Sequence, residues 1–122
     1  MYGNVINMST NFMPLSSFPE TDAILFVPIN TTISFQAFIT AHIPGVASAS
    51  WSFVGLIRRN VLPESTTLID LNAINISADQ LFSESYIDVD ADISVGALKI
   101  HAGFIPNYNI HWDASIHYTE VT

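Results

Sequence analysis

The sequence predicts an all-β chain, an antiparallel β-sandwich of jelly-roll kind, on three observations. Apolar and polar residues alternate with a period of two in several stretches from Asp22 onward. No stretch holds a 3.6-residue period long enough for a helix, and turn signals separate the alternating runs. A length of 122 residues leaves room for one core, so a single sandwich is expected over residues 21–122. Residues 1–20 contain Asn, Ser, Met and Pro without a period. They read as an extended arm that orders only against something else, its own domain or a neighbour.

The elements follow in order. In TTISFQAFIT, residues 31–40, Ile33, Phe35, Ala37 and Ile39 share one face, opposite Thr32, Ser34, Gln36 and Thr40; Phe38 is the one apolar residue on the polar side. HIPGVASAS then reads as a Pro-Gly turn and a loop of small residues. WSFVGLIRR, residues 51–59, is apolar on both faces and is expected to be covered on both, by the core and by another chain or element. After a turn at NVLPES, TTLIDL and AINIS suggest two short strands. SYIDVDA sets Ile87, Val89 and Ala91 against Asp88, Asp90 and Asp92, and ALKIHAG points Leu98 and Ile100 inward and Lys99 and His101 outward. FIPNYN makes the last turn. The closing strand, IHWDASIHYTEV, buries Ile110, Trp112, Ala114, Ile116 and Tyr118 and turns His111, Asp113, Ser115, His117 and Thr119 the other way. Trp51, Phe53, Trp112 and Tyr118 are the expected core anchors.

Charge and hydropathy narrow the function. Charged residues make up 11% of the chain and hydrophobic ones 49%, with a mean hydropathy of +0.38, whereas an ordinary soluble domain has about 25% charged residues. A chain so short of charge is expected to bury much of its surface against other chains. A net charge of −8 argues against nucleic acid, because phosphates would be repelled. There is no cysteine, which removes disulfides, thiolate ligands and thiol catalysis. No signal peptide is recognisable, and the longest apolar run, AILFVPI, is far too short to span a membrane as a helix.

Two polar rows invite chemistry. His111, Asp113 and Ser115 lie in sequence as same-face neighbours about 7 Å apart. A shared metal or a His–Asp–Ser arrangement can be drawn through them, but no nucleophile elbow accompanies the serine. DVDAD, residues 88–92, opens like a calcium loop, yet the sixth and twelfth positions hold Ile93 and Lys99 where an EF-hand needs Gly and Glu. The three carboxylates read as a solvated face, as partners for Arg58 or Arg59 of another chain, or as ligands for a cation. No catalytic residue, cofactor or metal site is expected. Arg58, Arg59, Asp88, Asp90, Asp92, His111 and Asp113 are the expected contacts between chains. Sequons at Asn7, Asn30 and Asn75 read as chance matches.

Three segments together resemble a small β domain of tailed-bacteriophage structural proteins, found in tail-fibre-like and related components. They are ASWSFVGLIRRN, DADISVGALKIHAG and IHWDASIHYTEV. Gly55, Ile57, Arg58 and Arg59 match the first element of that pattern. Ala91, Asp92, Gly96, Ala97, Leu98 and Ile100 match the second, and Ile110, Trp112, Ala114, Thr119, Glu120 and Val121 the third. The chain departs from the pattern at GFIPNYN, before the last strand. The resemblance implies a non-enzymatic β-sandwich of the virion, made in the host cytoplasm and assembled as a homotrimer. Because the chain starts at its own Met1 with no shaft, the first expectation is a capsid decoration, or cement, protein bound to the major capsid protein. The alternative is a tail-fibre or tail-tip component that binds another tail protein or a host glycan.

Overall fold

The computed structural model describes residues 4–12, 21–82, 87–102, 108 and 110–122, with backbone alone for 4–12 and 21–22. Eight strands fall within them: β1 (Asn4–Phe12), β2 (Thr21–Phe26), β3 (Thr31–Ile43), β4 (Ala47–Arg59), β5 (Thr67–Ala78), β6 (Ile87–Asp92), β7 (Ala97–Ala102) and β8 (Ile110–Val121). The only helical pieces among the described residues are single 3-10 turns at Pro63–Ser65 and Gln80–Phe82. The strands form two antiparallel sheets, one of five strands in the order β1-β8-β3-β4-β5 and one of three in the order β2-β7-β6. The expected all-β sandwich is the observed fold.

Alternation places the core between the sheets. On β3 each odd-numbered residue from Thr31 to Ile43 is buried, and β8 buries Ile110, Trp112 and Ile116. Trp112 sits opposite Ala41, and Phe53 opposite Ala37, so the small side chains of β3 leave room for aromatic rings from the strands on either side. Val89, Leu98 and Ile100 close the core from the smaller sheet. Trp51, Phe53 and Trp112 are buried as expected, whereas Tyr118 is only half-buried and packs against the edge of the cluster.

Several local expectations are corrected. The small residues after the Pro-Gly turn are not a loop: the turn closes by a Val46 N–H to Ile43 carbonyl bond, and β4 begins at Ala47. The run is a strand because Ala47, Ala49 and Trp51 sit on the buried face. TTLIDL and AINIS form one strand, β5, interrupted in its register with β4 at Ser52/Phe53 and Leu56/Ile57. Those bulges absorb Ile74 and Ile69 as extra residues and break the alternation that made the stretch look like two strands. Within the single chain the core covers one face of β4, and Ser52, Val54 and Leu56 on its other face are half-exposed, the face for which the sequence expects another chain or element. Within residues 1–20, Asn4–Phe12 pair with β8 as one edge of the larger sheet; residues 1–3 and 13–20 lie outside the described residues. Most of the last turn, residues 103–107 and 109, also lies outside them.

Arg59 clasps one end of the sandwich. Its Nη1 donates to the Val27 carbonyl at 3.1 Å, just past β2, and its Nη2 to the Val61 carbonyl at 3.4 Å. Gly96 has a φ of 75°, and a Cβ there would lie 2.6 Å from Arg59 Nη1. Glycine is required at that turn both for the backbone conformation and for the approach of the guanidinium.

Candidate functional site

The polar row of β8 belongs to the outer face of the larger sheet. His111 and Asp113 are exposed and stand opposite His42 and Thr40 of β3. Ser115 Oγ and His117 Nε2 are 3.2 Å apart, and the His117 ring meets Phe38 edge-on with 5.6 Å between centroids. A hydroxyl beside an imidazole is the start of a nucleophilic pair. Here, however, β8 is an interior strand, and its backbone around Ser115 pairs with β1 on one side and β3 on the other. The neighbouring N–H groups are therefore committed to the ladder rather than aimed at a developing oxyanion. Across β3 and β4 the same face continues with Ser34, Gln36, Thr40, Ser50, Ser52, Val54 and Leu56. It is broad and short of charge, with a shallow depression between Ser34, Gln36, Val54, His117 and Thr119.

The acidic row of β6 divides. Asp88 and Asp90 are exposed and stand opposite His101 and Lys99 of β7. Lys99 thus places a positive charge of the same chain across from Asp90, beside the Arg58 or Arg59 partner of another chain that the sequence suggested. Asp92 instead closes the β6–β7 turn. Its Oδ1 accepts the Ser94 N–H at 3.0 Å and the Ser94 hydroxyl at 2.6 Å, and its carbonyl accepts the Gly96 N–H. The hydrogen bonds from Ser94 hold its carboxyl below the usual carboxylate range. Among the described residues no group of three or more His, Asp or Glu side chains is placed to hold a metal ion.

The arginines also part company. Arg58 is exposed at the end of the outer face, while Arg59 is engaged within the chain by the Val27 and Val61 carbonyls. Around Arg59 lies the feature that the strand pattern did not reveal. Asn30 N–H bonds the Asn60 carbonyl, Val27 N–H bonds the Gly96 carbonyl, and Thr31 Oγ1 lies 3.1 Å from Thr122 Oγ1. These bonds gather three loops and the end of β8 at one end of the sandwich. There Ile29, Val61, Leu62, Ile93, Val95 and Val121 are all exposed. All of them except Val121, the last residue of β8, sit in turns, where period-two reading assigns no face, so the sequence offered no sign that they converge.

Comparison of the chain with protein-family models, with curated proteins and with solved structures finds no match in any of the three. Among the described residues no helix is long and apolar enough to cross a membrane.

Proposed function

We propose that this chain is a structural protein of a bacteriophage virion, a non-enzymatic decoration protein that assembles as a homotrimer and docks on the capsid. The observation that carries the reading is the aliphatic end of the sandwich, six exposed Ile, Val and Leu side chains on the loops and strand end that the Arg59, Asn30, Val27 and Thr31 hydrogen bonds join. Scattered apolar residues are ordinary on a surface, but a concentration of them at one place is a mark of contact with another macromolecule. The sparse charge of the outer sheet face and the resemblance to phage structural domains support the same reading. Such a protein acts by geometry: each copy contributes a modest apolar contact, and many copies act together on one shell.

A tail-fibre or tail-tip role is the second reading, favoured by the shallow depression that Ser34, Gln36, His117 and Thr119 line on the outer face. Its hydroxyl, amide and imidazole groups suit a sugar better than they suit a capsid. Co-sedimentation with empty phage capsids separates the two. Decoration predicts that the protein pellets with capsids and that Leu62→Asp releases it; a protein that stays in the supernatant with every capsid offered overturns the decoration reading.

A further inference from the structure

We infer that β5 is the edge along which one copy of this chain pairs with a second copy, the two β5 strands running antiparallel. β5 ends the five-stranded sheet, and β4 is its one strand partner among the described residues. The strand is 12 residues long, and each residue from Asn72 to Ala78 is exposed. The core face continues onto it without cover. Ala49, Trp51 and Phe53 of β4 are buried, yet their register partners on β5, Ala78, Ile76 and Ala73, are exposed, Ile76 to 63%. β5 thus offers a row of backbone donors and acceptors and an apolar layer cut off in mid-course.

Edges that must stay single are usually short, or carry lysine, proline or an inward-pointing charge. From Leu71 to Ala78 this edge has no charged residue and no proline. Its protective devices are the two bulges, and each presents an isoleucine, Ile69 or Ile74, where a charge would discourage pairing.

Charge selects the occupant and its direction. The chain carries a net −8, so copies approach each other most easily along an uncharged stretch. The one charge on β5 is Asp70, near its start. Antiparallel pairing centred on Ile76, beyond the bulge at Ile74, sets Ile76 against Ile76 on the core face and Asn75 against Ser77 on the outer face. The two Asp70 carboxylates then lie beyond opposite ends of the contact; parallel pairing would bring them together. The result doubles the five-stranded sheet and covers Ile76 with apolar surface of the same kind. This contact is distinct from the aliphatic end that carries the proposed function, so either can fail without the other.

The absence of cysteine makes the test direct, because one introduced thiol can link only to itself in another copy. Directly opposed residues of antiparallel strands lie about 4.5–5.5 Å apart at Cα, within disulfide reach. Under mild oxidation Ile76→Cys is expected to give a linked dimer, and Thr67→Cys, far from the centre, to remain a single chain. A mixture of Asn75→Cys and Ser77→Cys chains, whose side chains share the outer face, is expected to give the mixed dimer in excess over either self-linked form. Failure of Ile76→Cys to link, equal linking by Thr67→Cys, or an Asn75/Ser77 mixture with no excess of mixed dimer overturns the inference.

Discussion

The indole rings of Trp51 and Trp112 lie stacked in the core, 5.8 Å between centroids and 27° between planes, although they come from strands on opposite sides of β3. Phe82 meets both edge-on, at 6.2 Å from Trp51 and 6.4 Å from Trp112. Three aromatic rings from β4, β8 and a 3-10 turn thus form one unit across the small side chain of Ala41.

Truncating one ring removes a large buried volume that its neighbours cannot refill. Trp112→Ala is therefore expected to lower unfolding free energy by about 3–5 kcal/mol. His111→Ala, one residue away on the exposed face, is expected to change it by less than about 0.5 kcal/mol. Urea denaturation of the two variants checks the assignment of faces, and small, equal effects would reverse it.

Gly55 is opposite Phe35, and a Cβ there would lie 2.5 Å from the Phe35 Cζ and 2.6 Å from the Asp70 carbonyl oxygen. The ring of Phe35 can yield but the carbonyl belongs to the β4–β5 ladder. Gly55→Ala is expected to cost about 1–3 kcal/mol as an overpacked core. Shortening the opposing side chain, Phe35→Leu, should recover only part of that loss, as a double-mutant cycle would measure.

Asp92 gives the fold a definite response to acid. Its carboxyl is held low by the Ser94 hydrogen bonds, so its contribution to stability is complete above the ordinary Asp value of about 3.9. That contribution is lost as pH falls through the lower folded value. Ser94→Ala is expected to raise the folded value, read by carboxyl NMR titration, and to flatten the corresponding part of the acid-unfolding curve. An unchanged Asp92 titration in that variant would contradict the turn geometry.

The alternating strands were legible because burial obeyed the period of two: Ile33 to Ile39 on β3, Val89 on β6 and Trp112 on β8 fell on the predicted faces. β5 was misread where bulges at Ile69 and Ile74 shift the register, since a single extra residue reverses every later side chain. Of the site, the outward direction of His111 and Asp113 was legible from the strand alone. The pairing of Asp88 and Asp90 with His101 and Lys99 was not, because cross-strand neighbours depend on register between segments. The aliphatic end was hidden for a related reason: Ile29, Leu62 and Val95 lie far apart in sequence and meet only through loop hydrogen bonds.

The account rests on a protein that works by associating, and its mass in solution tests that claim most directly. Light scattering over a range of concentrations is expected to give three times the 13.4 kDa chain mass, or a whole multiple of that where β5 edges also pair. A single species of 13.4 kDa at all concentrations would contradict it.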